Sequence, residues 1–189
     1  DDIPFHDVYF TSIIRDDQGR KLSKSLNNSP DPIEVMDTYG ADALRFTIIY
    51  IAPLGQDIRY SNDKCEIGRN FANKLWNAAR FRRSQWDETA DGCDSLDGLA
   101  ELDLRADDRW ILGRLSDVCR AGTDALDRFS FHEMTHALYD FVWNEFCDWY
   151  LESAKAVLND GDATQQARVR RIFDHVLSRI LRLLHPIMP

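Results

Sequence analysis

Two lysines three residues apart, Lys21 and Lys24, sit in the stretch Arg20 to Asn28, RKLSKSLNN, with hydroxyls at Ser23 and Ser25. A lysine ammonium is a compact charge on a flexible stem that can follow phosphate oxygens, whereas arginine holds one bidentate geometry. Two such groups with interleaved hydroxyl donors suit a polyanion whose charge moves during a reaction. The competing reading is a solvated basic loop, since short basic runs are common on surfaces. A second candidate is His132-Glu133-Met134-Thr135-His136, which matches HExxH, the helix motif of zinc proteases. A third ligand is required there. Glu145 and Glu152 lie on the same expected helix as the histidines and cannot fold back onto them. Glu133 is also spaced to form a capping box with Ser130, and Phe129 to form a staple with Met134. The motif is therefore read as a helix start, and no metal is assigned.

The elements that must hold the lysines can be read from local pattern. Asp7 to Ile14, DVYFTSII, is aromatic and β-branched between polar clusters, which predicts a largely buried strand. Asp16-Asp17-Gln18-Gly19 turns the chain into the lysine loop. Asp31 as N-cap, Pro32 at the first helical position and Glu34 as capping-box partner predict a short helix to Tyr39, stopped by Gly40. A second helix from Ala41 through Ile51 should bury Leu44, Ile48 and Ile51 before Pro53. Gln56 to Tyr60 reads as extended. Ser61 can then cap a long helix from Asn62 to Trp86 with the apolar stripe Ile67, Phe71, Leu75 and Ala78. Between Lys64 and Arg83 this helix carries six basic residues and one acidic residue, Glu66. Lys64, Arg69, Lys74, Arg80 and Arg83 are candidate phosphate contacts along it.

Residues 87–107 are acidic and rich in small residues, and read as a mobile surface linker. Helical periodicity returns at Asp108 to Arg128, with Trp110, Ile111, Leu115, Val118, Gly122 and Ala125 inward. An aromatic helix runs from Ser130 to Leu158, and a last helix from Ala163 to His185 faces Ile172, Phe173, Val176, Ile180, Leu181 and Leu184 inward. His185 is expected to cap that helix and His175 to lie exposed. Trp76 and Trp143 are expected as core anchors. Long helices with short connections make an antiparallel bundle.

Composition bounds the rest. With 189 residues and 44% hydrophobic residues, the chain can bury one good core. The four cysteines, Cys65, Cys93, Cys119 and Cys147, form no close pair, which excludes a CxxC site and favours reduced thiols. No signal-peptide pattern or long apolar run is present, so a cytoplasmic protein with no membrane partner is expected, one excised from a longer polypeptide. The net charge is −9. Residues 1–86 carry 12 basic and 12 acidic side chains, residues 87–108 carry 1 and 9, and residues 109–189 carry 10 and 11. The negative charge is thus concentrated in one segment and leaves the basic helix free to meet an anion.

KLSKS, with LNNSPDP, YGADALRF, APLGQDIRYS and GRNFANKLWNAARF after it, resembles the second signature loop of the class I aminoacyl-tRNA synthetases, usually KMSKS, together with the segments C-terminal to that loop. SPDP at Ser29 to Pro32 and RNFANKLWNAARF at Arg69 to Phe81 look like the valyl family. DRWILGRL at Asp108 to Leu115 and LYDFVWNEFCDWYLE at Leu138 to Glu152 extend the resemblance over nearly the whole chain. Leu22 departs from the usual Met, a swap close in volume and polarity. The resemblance implies a mainly α fold: an α/β remnant of a catalytic domain at 1–61 carrying the loop, then an anticodon-binding antiparallel helical bundle at 62–189. It implies an ATP-dependent ligase for valine and tRNA(Val), a monomer, with Mg2+ accompanying the nucleotide. Lys21 and Lys24 become catalytic, and Lys21, Ser23, Lys24 and Ser25 ATP-binding. The HIGH signature and the editing domain are not in this chain, so this piece alone is expected inactive. A non-catalytic helical module binding RNA or protein is the alternative.

Overall fold

The computed structural model describes residues 3–86, 96 and 104–189. Most of the acidic stretch expected as a linker lies outside them. Among the described residues the strand content is small: β1 (Ile14–Arg15) pairs in parallel with β2 (Ile58–Arg59). The strand expected over Asp7 to Ile14 is not formed beyond its last residue. Val8, Phe10 and Ile13 are exposed, because among the described residues β2 offers only two residues of edge to pair with.

Two short helices come next. In α1 (Pro32–Tyr39) the Asp31 carboxylate accepts from the Ile33 amide at 2.9 Å, with Pro32 in the first turn. Gly40 ends it at φ 97°, a conformation open to glycine at little cost, and α2 (Ala41–Tyr50) begins at once. Helix α2 works on two faces. Leu44, Ile48 and Ile51 pack partly buried on the small cluster of Val35, Tyr60 and Cys65, while Phe46 enters the main core.

After a single 3-10 turn (Asn62–Lys64), α3 (Cys65–Gln85) crosses α2 closely. Thr47 Oγ1 accepts from the Gly68 amide at 3.2 Å. A Cβ on residue 68 would overlap the Ala43 carbonyl oxygen, so only glycine allows this crossing.

The bundle is completed by α4 (Ala106–Asp127), α5 (Phe131–Asp140), a π-helical stretch (Phe141–Tyr150), α6 (Leu151–Asp160) and α7 (Ala163–Leu184). Helix α5, the π stretch and α6 run on without a break, so the single long helix expected from the sequence is present with a wider middle. The tight corner at Arg128 to Ser130 folds α4 back along α5, and an Asp162–Gln165 capping box starts α7. Ile111, Leu138, Phe146, Phe173 and Ile180 close a continuous core.

Several inward assignments are corrected. Trp110 and Leu181 stand half-exposed at the edges of their stripes, and Trp76 is 63% exposed on the outer face of α3. Trp143 is partly buried, stacked on Tyr139 at 5.4 Å. His175 is buried, not exposed, because α7 packs on two sides, against α4 and α6. The expected Ser130 cap is absent: Ser130 makes no side-chain cap bond, and Glu133 instead accepts from Arg128 at 3.2 Å. Phe129 takes φ 58° and packs edge-on to Phe131.

Candidate functional site

The lysine loop is short and pinned at its root. Arg15 and Lys21 form an antiparallel bridge, and the Leu22 amide donates to the Ile14 carbonyl at 3.2 Å. Leu22 turns inward and lines a small apolar cavity of about 220 Å³ with Ile14, Pro30, Val35 and Ile48. A leucine serves there as a methionine would, filling apolar space. Ser23, extended at φ −154°, then caps one 3-10 turn (Lys24–Leu26) by accepting from the Ser25 amide at 3.2 Å. The two serine hydroxyls lie 2.7 Å apart. Both lysines are exposed, and among the described residues neither has an ion-pair partner.

Beneath the loop two residues that motif reading passed over organise it. Asp16 accepts from the amides of Gln18 and Arg20, at 3.1 and 2.8 Å, and from Arg20 Nε at 2.7 Å. Asn28 donates to Asp16 and accepts from the Ser23 amide. The Asn28 amide foremost, with Arg20, draws the Asp16 carboxyl down to about 2. The available signal was the aspartate opening the DDQG turn, a residue type that bonds its own backbone two residues on.

The candidate phosphate contacts on α3 divide. Lys64 donates to the Arg59 carbonyl, Arg69 pairs with Glu66 at 3.5 Å and lies over the Tyr39 ring, and Lys74 pairs with Asp148 above the Trp143 ring. Arg82 makes a two-point pair with Asp174, at 2.9 and 3.1 Å, that also holds Trp86 Nε1 at 3.2 Å. Two of these cations, Lys74 and Arg82, are therefore met by carboxylates from other helices. Arg80 and Arg83 are exposed and line an open groove of about 600 Å³ with Asn77, Phe81 and Ser84.

Two of the three HExxH residues are engaged elsewhere, Glu133 with Arg128 and His136 with Tyr50. The Tyr50 carbonyl can only accept, so His136 Nε2 carries the proton and donates to it at 3.0 Å. The ring stacks on Tyr50 at 3.8 Å, and burial lowers its pKa. Among the described residues no three His, Cys, Asp or Glu side chains gather as a metal site. Nor is any described helix long and apolar enough to cross a membrane.

A pinned lysine loop joined through a helix pair to a helical bundle agrees with what known proteins show. Residues 1–61 match the family of class I tRNA synthetases (I, L, M and V), and residues 108–189 match the anticodon-binding domain of tRNA ligases. The chain belongs to the class I tRNA synthetases. Within that class it is similar to the valine–tRNA ligases, at 46% identity to that of Chlorobaculum tepidum over 100% of this chain and 22% of the relative. Identity to the Bacillus subtilis valine–tRNA ligase is 44%, over 98% of this chain and 21% of the relative. The chain thus spans about a fifth of the length of the curated relatives it matches. The fold is shared with Agrobacterium radiobacter K84 LeuRS, solved in a ternary complex with tRNA and LeuAMS: TM-score 0.73, 19% identity, 96% of this chain and 20% of that one. It is shared also with Mycobacterium tuberculosis methionyl-tRNA synthetase in complex with methionyl-adenylate: TM-score 0.72, 23% identity, 93% of this chain and 35% of that one.

Proposed function

We propose that the longer protein carrying this segment is an ATP-dependent valine–tRNA ligase. Residues 1–61 supply the loop-bearing part of its catalytic domain, and residues 62–189 its tRNA-binding bundle. The observation that carries this reading is the pair of exposed ammonium groups on a pinned loop, in a chain 46% identical to a valine–tRNA ligase.

In the activation step a valine carboxylate oxygen bonds to the α-phosphorus of ATP while the bond to the β-phosphate bridging oxygen breaks, and pyrophosphate leaves. Negative charge grows on the β and γ oxygens, and Lys21 and Lys24 neutralise it. Ser23 and Ser25 donate hydrogen bonds to the same oxygens. Because the lysines meet that charge most strongly as the bond breaks, they favour the transition state over bound ATP. Magnesium enters with the nucleotide as part of the substrate and is assigned no ligand here. Lys24→Ala in the full-length ligase should lower valine-dependent pyrophosphate exchange by about 10²-fold or more. A rate within about threefold of the parent would remove the assignment.

The second half of the reading is RNA binding. Arg80 and Arg83 are the best placed of the α3 candidates to meet tRNA phosphates, since both are exposed and line the same open groove. Binding of tRNA(Val) should weaken steeply as salt rises, and Arg80→Ala with Arg83→Ala should flatten that dependence by about two phosphate contacts. Affinity indifferent to salt would exclude this use of α3.

A further inference from the structure

We propose that the Asp16–Asn28 pair is a polar clasp that sets where Lys21 and Lys24 stand, which makes Asn28 a positioning residue for the ligase reaction. This rests on the function proposed above. The clasp closes the chain from residue 16 to residue 28 into a ring that carries both lysines, Lys21 at its root and Lys24 beyond it. Asn28 Oδ1 accepts from the Ser23 amide at 2.9 Å, and its Nδ2 donates to Asp16 Oδ2 at 3.0 Å and to the Lys21 carbonyl at 3.3 Å. One side chain therefore grips the backbone at the first lysine and at the residue before the second.

The orientation of the amide is decided by its partners. A backbone N–H can only donate and a carboxylate and a carbonyl can only accept, so oxygen must face Ser23 and nitrogen must face Asp16 and Lys21. Those needs also decide the residue type. A short side chain with one acceptor and two N–H donors is asparagine. Aspartate would put a second carboxylate against Asp16, and alanine would release all three bonds. Asp16 is held in turn by Gln18, Arg20 and the bridge at its own backbone, where its amide donates to the Arg20 carbonyl at 2.9 Å. Its side chain is only 15% exposed, and its low pKa keeps it an anion, the form that accepts all these bonds, throughout the neutral range. The left-handed φ of 49° at Asn27 brings the chain back so that Asn28 can reach in.

The test uses the full-length ligase and two readouts: hydrogen exchange of the amides from Lys21 to Asn28, and pyrophosphate-exchange kinetics. Asn28→Ala should speed exchange of the Ser23 amide and lower the maximal exchange rate about 10- to 100-fold, with the KM for valine unchanged, because misplacing a catalytic group costs rate before it costs amino-acid binding. Asn28→Asp should be at least as damaging, from repulsion at position 16. The double exchange Asp16→Asn with Asn28→Asp restores a donor facing an acceptor between positions 16 and 28, while Arg20 Nε and the Lys21 carbonyl each lose a partner, so it should recover part of the loss of Asn28→Asp, which a general packing defect would not do. An Asn28→Ala enzyme within about twofold of the parent, or a swap no better than Asn28→Asp alone, would overturn the clasp. Lys24→Ala measured alongside separates this inference from the one beneath it. If Lys24→Ala is silent, the pyrophosphate reading falls and the positioning role falls with it. If Lys24→Ala is slow while Asn28→Ala is not, only the clasp fails.

Discussion

Removing Arg168 offers a sharp measure of how the bundle is held. Asp108 lies in the first turn of α4, and its Oδ2 accepts from the Arg105 amide at 3.2 Å. The Tyr150 hydroxyl, from the end of the π stretch, donates to Asp108 Oδ1 at 3.2 Å, and Arg168 of α7 pairs with Oδ2 at 2.9 Å. The two charged side chains are 6% and 1% exposed. Two charges withdrawn from water contribute little net stability as a pair, but removing one leaves the other uncompensated, at a cost of about 3–5 kcal/mol. For a chain of this size each kcal/mol moves Tm by about 2–4 °C, so Arg168→Ala should lower the melting temperature of the 189-residue chain by roughly 6–20 °C. Replacing all three groups, with Asp108→Leu, Tyr150→Phe and Arg168→Met, removes both charges and the hydroxyl together. Its remaining losses are imperfect packing and the capping bond, about 1–2 kcal/mol. Thermal denaturation monitored by circular dichroism ranks the three proteins. A single variant within about 2 °C of the parent, or a triple variant no more stable than the single one, would refute the claim that an isolated buried charge dominates.

The helix crossing and the stacked histidine each give a further expected outcome. Gly68→Ala sets a Cβ against the Ala43 carbonyl and 2.8 Å from Thr47 Oγ1. The clash outweighs the propensity gain of about 1 kcal/mol, so urea denaturation should show a net loss of about 1–2 kcal/mol, and a stabilised variant would contradict the crossing geometry. Burial depresses the His136 pKa below 6.5, so a proton binds more readily to the unfolded chain. Its contribution to stability is complete above that value and declines as pH falls through it. Denaturation midpoints at pH 7.5 and 5.5 should converge in His136→Phe relative to the parent; equal pH slopes would argue against a buried neutral ring.

What the sequence determined on its own was the part governed by local rules. The Asp31-Pro32 start, the Gly40 break and the stripes of α3, α4 and α7 depend on capping, backbone freedom and 3.6-residue spacing, each complete within a dozen residues. The loop with Lys21 and Lys24 was legible for the same reason, as was the helical bundle implied by long helices joined by short turns. Tertiary structure decided everything that needed a partner distant in sequence. An aromatic stretch such as Val8 to Ile13 becomes a strand only where an edge receives it, and β2 receives one end of it. The basic charge of α3 read as free until Asp148 and Asp174 arrived from other helices to meet Lys74 and Arg82. Trp76, exposed, and His175, buried, exchanged their expected places because burial is set by which helices flank a face, and residue type is only a weak guide to that. The grip of Asn28 on Asp16 and Ser23 emerged last, since it depends on where a left-handed residue returns the chain.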